Sequence, residues 1–158
     1  MSLIFADKTE KIITIICILF AIIILLDFSF PGTAYDEKVT KVSKKRQTYY
    51  NAGGNSHKSY KLSTENREFD ISKEFADNIK KDDIVKTKVS FIFTEVNSYE
   101  NPITKKKQTY SLRMFTGLIL PILLIIILGL GYKFKERMEW PVLILEIMIV
   151  VDFIYMCF

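Results

Sequence analysis

Three acidic side chains stand within or beside apolar segments of this 158-residue chain. Glu146 and Asp152 belong to residues 140–158, which contain no lysine or arginine, and Asp27 directly follows the mainly apolar residues 12–26. An ionised acid at the centre of a bilayer costs about 2.5–3.5 kcal/mol on insertion scales. Acids in such positions are therefore candidates for contact with a partner helix or with an ion.

Three interpretations account for acids in such segments. In the first, they are protonated and hydrogen-bonded within the bundle, with Thr14, Thr116 and Tyr155 as candidate partners. In the second, they pair with a lysine or arginine on another protein's membrane helix, and in the third they line a path for protons or cations. Since Glu146 and Asp152 are six residues apart, they lie about 120° apart around a helix. Two acid-bearing faces favour a partner subunit.

The elements that hold these acids are three apolar runs. They predict three transmembrane helices, at residues 12–30, 114–132 and 140–158. Each comes close to the roughly 20 residues that cross a hydrocarbon core about 30 Å thick. The first run exceeds the apolar part of a typical secretory signal peptide, so a retained anchor is favoured. Asp27 near its end is expected at the membrane surface, and residues 1–11 and 133–139 form a tail and a short basic loop.

The basic residues beside these helices bear on orientation. The short loop carries Lys133, Lys135 and Arg137, and the tail adds Lys8 and Lys11. Since short cytoplasmic loops are rich in such residues, the pattern predicts a multi-pass protein of an inner or plasma membrane with its polar segment extracytoplasmic. Nine basic residues flanking the polar segment favour the opposite orientation, but loops beyond about 60 residues largely escape the rule.

The polar segment, residues 31–113, has strand patterns. Residues 84–93 alternate, which places Val85, Thr87, Val89, Phe91 and Phe93 on one face. Phe69 and Ile71 alternate likewise, and a further strand is expected at EVNSYE. The segment therefore predicts a small β-rich, α+β domain of open-barrel-like form between the first and second helices.

Two local signals complete this domain. Gly53 and Gly54 supply the positive φ angles that a β-hairpin needs. Ser72 can cap a short helix, on which Phe75 and Ile79, four residues apart, share one face. The predicted order is three strands, a short helix and one or two further strands.

The polar segment is basic, with seventeen basic and eleven acidic side chains. Contact with anionic headgroups or another polyanion is predicted for two clusters, Lys44, Lys45 and Arg46, and Lys105, Lys106 and Lys107. Lysine and arginine beside a membrane gain about 1 kcal/mol each from anionic lipid. Together with nearby tyrosines, the first cluster also resembles a protein surface that binds single-stranded nucleic acid. Contact with lipid headgroups, or plain solvation of these side chains, is favoured over that interpretation.

The second helix has residues suited to close packing. They are Gly117, Pro121, Gly129 and Gly131. Small residues let helix backbones approach closely, and proline can kink a membrane helix. We therefore expect this helix to pack tightly against its neighbours.

Catalytic signals are weak in this sequence. His57 is its one histidine, and no glycine-rich phosphate loop is present, so no enzyme, metal, cofactor or small-molecule substrate is predicted. The favoured function is a non-catalytic accessory subunit of a membrane complex, which docks on other integral membrane subunits through its helices and contacts membrane lipids. The alternatives are a component of a proton- or cation-conducting system, and a membrane-tethered β module that binds anionic lipid or another polyanion.

Overall fold

The computed structural model describes residues 8–30, 32–48 and 56–157 of the chain. It divides into two compact units, each described here by itself. The helical unit comprises Met1–Pro31, Ser90–Glu95 and Ser111–Phe158. The half-barrel unit comprises Gly32–Val89 and Val96–Tyr110.

Three long helices form the helical unit. They are α1 (Lys8–Ser29), a continuous helix made of α3 (Ser111–Met114), a π-helical turn (Phe115–Ile119) and α4 (Leu120–Lys133), and α5 (Lys135–Cys157). Segments Lys8–Ser29, Ser111–Gly131 and Met138–Cys157 are long and apolar enough to cross a membrane. Helices are thus confirmed at the three predicted places, and their length and composition would allow them to span a membrane. The second begins three residues before the predicted residue 114, so it includes Arg113.

The π-helical turn in the second long helix has a local cause. Pro121 lacks a backbone N–H, and in a regular helix its ring would clash with the carbonyl group of Gly117. The N–H of Leu120 reaches back five residues to the carbonyl oxygen of Phe115, which widens the turn ahead of the proline. The sequence thus predicts the position of the helix irregularity at Pro121 correctly. Its form is a π-helical turn.

Each long helix buries one narrow stripe of side chains. The apolar core of the unit consists of Cys17, Ala21, Ile24, Leu120, Leu124, Leu128, Val142, Leu145, Ile149 and Met156. Within each helix these residues recur mostly every three or four positions, the spacing of helices that pack at small crossing angles. The opposite faces are apolar and exposed, with 28–33% of each candidate membrane segment buried.

The glycines of the second long helix differ in their surroundings. A Cβ atom at Gly117 would lie 2.7 Å from Cδ2 of Phe28, so α1 approaches this point closely. A Cβ atom at Gly131 would make ordinary contacts of 3.5–3.6 Å, whereas at Gly129 it would meet no described atom within 4 Å. The close packing predicted for Gly129 is therefore not found within the described chain.

Substituting Gly117 tests this close approach. We expect Gly117→Ala to lower the free energy of unfolding by about 1–2 kcal/mol, since overpacking outweighs the better helix propensity of alanine. Gly129→Ala is the matched control and should be neutral or stabilising by up to about 1 kcal/mol. Denaturant unfolding of both variants in the same bicelles measures the difference. Equal stabilities would contradict the contact with Phe28.

The half-barrel unit is a six-stranded antiparallel sheet. Its strands are β1 (Thr33–Thr48), β2 (Ser56–Thr64), β3 (Glu68–Ile71), β4 (Ile84–Val89), β5 (Val96–Asn101) and β6 (Lys106–Thr109), in the order β3-β2-β1-β4-β5-β6. β1 pairs with β4 from Thr33 to Lys38 and with β2 from Val39 onward. The register slips between Val39 and Lys41, as a β-bulge does where a strand bends. One bent strand therefore serves both halves of the sheet.

The concave side of the sheet holds the core of this unit. It consists of Val39, Tyr60, Leu62, Phe69, Ile71, Phe75, Ile79, Val85, Val89, Val96 and Tyr99. The short helix α2 (Lys73–Asp77) begins at Ser72, whose Oγ accepts a hydrogen bond from the N–H of Phe75 at 3.1 Å. The Tyr99 ring on β5 lies 5.3 Å from the Phe69 ring on β3 and 4.6 Å from the Phe75 ring. Side chains thus bridge the open side of the half-barrel.

A buried carboxylate, Glu37, lies just before the bend of β1. Glu37 is 2% exposed and accepts hydrogen bonds from the hydroxyls of Thr64 and Thr87 and from the guanidinium group of Arg67. The guanidinium carbon also lies 4.8 Å from the ring centroid of Tyr35. These contacts join β1, β2 and β4 to the turn that leads into β3.

Most strand predictions are confirmed, and two are wrong. β4 alternates as predicted up to Val89, but Phe91 is 79% exposed and Phe93 packs in the helical unit. Residues 90–95 form a turn, which ends the strand four residues early. The structure also adds β6, which lies beyond the last strand that the sequence predicts. β1 and β2 pair as a hairpin, while Gly53 and Gly54 lie outside the described residues.

Tyr99 gives the half-barrel a predictable response to alkali. Burial raises the pKa of Tyr99 above its ordinary value near 10, although a hydrogen bond from the N–H of Ser72 opposes this. The unfolded chain therefore loses the proton first, so stability is intact below about pH 10 and falls as the pH rises further. Tyr99→Phe should remove this part of the decline, measured as urea unfolding midpoints against pH. Identical declines in the two proteins would contradict the effect.

Candidate functional site: buried charges of the helical unit

Asp27 and Arg113 form a buried ion pair between α1 and α3. Their side chains are 0% and 2% exposed, and Nη2 of Arg113 donates to Oδ2 of Asp27. The other guanidinium nitrogen, Nη1, donates to Sδ of Met156 on α5 at 2.7 Å. The position of Asp27 at the membrane surface stays a prediction, and the structure places it two residues before the end of α1 with its side chain fully enclosed. Arg113, which the sequence analysis assigns to the polar segment, thus supplies a cation from within the second long helix.

The turn Ser90–Glu95 completes the surroundings of Asp27. Oδ1 of Asp27 accepts hydrogen bonds from the backbone N–H groups of Ile92 at 2.6 Å and Phe93 at 3.4 Å. The Phe93 ring packs edge-on against Phe153, with centroids 5.6 Å apart, and lies 6.0 Å from the Arg113 guanidinium carbon. Backbone donors and a cation together offset the cost of burying this carboxylate.

Asp152 lies close to the same cation but is less well satisfied. It is 8% exposed, and its Oδ2 is buried with no hydrogen-bond partner among the described residues. Arg113 interacts electrostatically with Asp27, Glu95 and Asp152. Three acids therefore surround one described cation at this end of the bundle.

Glu146 has a partner on α1. It is 9% exposed, and its Oε1 accepts a hydrogen bond from the hydroxyl of Thr14 at 2.7 Å. Sγ of Cys17 lies 3.9 Å from the backbone carbonyl oxygen of Glu146 as a weak donor. Thr14 is one of the hydroxyls predicted for this role, whereas Tyr155 is 69% exposed and points away from the core.

A cavity of about 430 Å³ opens beside Glu146. It is lined by Glu10, Ile13, Thr14, Glu139, Trp140, Val142, Leu143 and Glu146. The buried stripe between this cavity and the Asp27–Arg113 pair is apolar apart from the Cys17 thiol in the described chain. The two acidic regions are therefore separate polar sites in the bundle interior.

The basic clusters of the half-barrel are not brought together. Lys107 lies opposite Glu100, which lies opposite Lys86 and then Asp36 across four strands. Lys44 is eight residues beyond Asp36 along β1, or about 26 Å of extended strand. The two clusters therefore lie on different parts of the sheet.

Individual lysines of these clusters have local partners. Nζ of Lys106 lies 2.6 Å from Glu74, and Nζ of Lys44 lies 5.3 Å from the ring centroid of Tyr60. Lys45 and Lys105 are exposed, while the side chain of Arg46 lies outside the described part of the structure. Within residues 8–30, 32–48 and 56–157, no group of three or more histidine, cysteine, aspartate or glutamate side chains is arranged to hold a metal ion.

The fold and the buried charges define a class of protein. It consists of three helices of membrane length, with an antiparallel half-barrel inserted between the first and the second. No protein family, no curated protein and no solved structure matches this chain. The functional conclusion therefore depends on the site itself.

Proposed function

We propose that the protein is a non-catalytic accessory subunit of a membrane complex, with three helices that span the bilayer and carry the half-barrel. The membrane-spanning part of this proposal is carried by the inward direction of the polar groups in the helical unit, and the accessory part by the exposed apolar faces of its helices. Asp27 pairs with Arg113, and Glu146 accepts a hydrogen bond from Thr14, so these groups hold the helices to one another. Such a bundle is a self-contained anchor with apolar outer faces.

The outer faces are the surfaces available to neighbouring helices. On α5, Ile147, Val151 and Ile154 are 55%, 60% and 52% exposed and lie on one stripe. This arrangement favours partner contact through the outward stripe over contact through Glu146 and Asp152. Partner helices and lipid share such a surface, because both are apolar.

Photo-crosslinking in native membranes tests this role. A crosslinking amino acid at Ile147 or Ile154 should capture a second polypeptide, while the same group at the buried Ile149 is the matched control. We also expect the chain to resist alkaline extraction and to migrate, in mild detergent, as an assembly larger than its 18.4 kDa protomer. A monomer without crosslinks at outward positions would refute the accessory role.

A second candidate is a component of a proton- or cation-conducting system. The unpartnered oxygen of Asp152 and the cavity lined by Glu10, Glu139 and Glu146 favour it. Glu146→Gln and Asp152→Asn separate the two functions through co-purification and proton flux in proteoliposomes. Unchanged complex recovery without any flux in wild type or variants supports the accessory role. Wild-type flux that the variants lose would favour conduction.

The orientation that we propose places the half-barrel outside the cytoplasm. The short basic loop between the second and third helices supports it. Labelling of a Gly54→Cys variant by an impermeant thiol reagent on intact cells, in a Cys157→Ser background, measures the side. Labelling only after the membrane is opened would reverse the orientation.

A further inference from the structure

The turn Ser90–Glu95 joins β4 to β5 but belongs to the helical unit. It is closed on itself, because the N–H of Ser90 donates to the carbonyl oxygen of Glu95 at 2.8 Å and the N–H of Glu95 donates to Oγ of Ser90 at 3.1 Å. Thr94 has a φ of 57°, which reverses the chain. The turn is therefore a defined structure with fixed directions for its side chains.

This turn is held at one end of the helical bundle. Asp27, to which it is hydrogen-bonded, lies two residues before the last residue of α1, and Arg113 lies two residues after the first residue of α3. Phe93 points inward against Phe153. The turn thus sits where one membrane-length helix ends and the next begins.

The outward side of the same turn is apolar. Phe91 is 79% exposed and Ile92 is 53% exposed. At the same end of the bundle, Phe30 just after α1 is 58% exposed and Leu112 on α3 is 48% exposed. The turn and the adjoining helix ends therefore expose apolar side chains at the same end of the helical unit.

We propose that Phe91 and Ile92 insert into the interfacial layer of the bilayer, so that the β4–β5 turn is a membrane-embedded finger. The inference rests on the proposed membrane-spanning role. Aromatic side chains at helix ends favour this layer, where apolar groups leave water beside the headgroups. Lipid is the occupant that fits, because the turn borders helix faces that would already contact lipid.

Tryptophan fluorescence tests this insertion in the full chain. Trp140 is the sole tryptophan of the sequence, so Phe91→Trp in a Trp140→Phe background reports on the turn alone. The protein is reconstituted into phosphatidylcholine vesicles brominated either near the headgroup or near the chain ends. We expect strong quenching of Trp emission by both sets, with the larger loss for bromines near the headgroup. Since Phe91 is mainly exposed, its replacement removes little packing.

Ile84→Trp in the same background is the matched control. Ile84 is 53% exposed and lies at the other end of β4, about 17 Å from Val89 along the strand. Its emission should be insensitive to the brominated lipids. Equal quenching at both positions, or emission from position 91 that is shielded from water but not quenched, would overturn the proposal. The second result would identify a protein contact at the turn.

Trp140 of the unmodified chain separates the two possible failures. It lies near the start of the segment Met138–Cys157 and is 74% exposed. If the brominated lipids quench Trp140 but not a tryptophan at position 91, the proposal of an embedded turn is overturned and the membrane-spanning role remains intact. Absence of quenching at both positions, with release of the chain by alkali, refutes the membrane-spanning role itself.

Discussion

Arg113→Met is expected to lower the free energy of unfolding by about 3–5 kcal/mol, the cost of leaving a buried acid without its partner. The substitution keeps an unbranched, apolar side chain of similar reach but removes the cation. Asp27 then retains the N–H groups of Ile92 and Phe93 as donors, while Asp152 and Glu95 add negative charge without compensation. Denaturant unfolding of the full chain in bicelles measures the loss.

Two comparisons make this result specific to the buried pair. Lys106→Met breaks the exposed Lys106–Glu74 pair and should leave the free energy of unfolding nearly unchanged, because water screens this pair. Adding Asp27→Asn to Arg113→Met removes the unpaired charge and should recover a large part of the stability. A cost for Arg113→Met no greater than that of Lys106→Met would show that the ion pair does not hold the bundle.

The inward position of Arg113 can be predicted from its spacing to the buried residues of the same helix, but not from residue composition. Gly117, Leu120 and Leu124 recur every three or four residues on the buried stripe, and Arg113 lies four residues before Gly117. A helix extended by one turn therefore places the guanidinium group on the inward face. The predicted helix begins at residue 114 because Arg113 is charged. A charge in the sequence does not show whether an oppositely charged partner lies in the interior of the bundle.

The turn after β4 shows where a strand pattern misleads. Alternation continues through Phe91 and Phe93, and residues 90–95 contain no glycine or proline to mark a reversal. Beyond Val89, the N–H groups of Ile92 and Phe93 bond to Asp27, which lies 65 and 66 residues earlier in the chain and on a different element. Local periodicity cannot reveal an acceptor supplied by tertiary structure.

The last strand, β6, was missed for the opposite reason. Its four residues, Lys106–Thr109, are all polar and give no alternation. Its register places Lys107 opposite Glu100, which lies opposite Lys86, and the hydroxyl of Tyr99 donates to Oε1 of Gln108 at 3.0 Å. Opposite charges on neighbouring strands contribute roughly 0.2–1 kcal/mol each. Hydrophobic periodicity thus predicts the strands that bury one face. An exposed edge strand has to be predicted from residues on the neighbouring strand that could pair with it.

Arg67→Met is the second substitution with a large expected effect, about 2–4 kcal/mol in the half-barrel. It removes the cation that pairs with Glu37, a carboxylate 2% exposed just before the bend of β1. The hydroxyls of Thr64 and Thr87 remain as donors to that carboxylate. The expected loss is below that for Arg113→Met, because the Arg67 side chain is 23% exposed and water can reach the site.

Lys61→Met supplies the control for Arg67→Met on the same sheet. It breaks the exposed Lys61–Glu68 pair, whose Nζ–Oε1 distance is 3.2 Å, and should cost no more than about 1 kcal/mol. Adding Glu37→Gln to Arg67→Met neutralises the buried acid and should restore part of the stability. The two threonine hydroxyls donate to different oxygens of Glu37, so the amide oxygen of glutamine can still accept from one of them. Because Glu37 lies where β1 passes from β4 to β2, loss of its charge partner should loosen both pairings together. Hydrogen exchange confined to one pairing would contradict a shared bend.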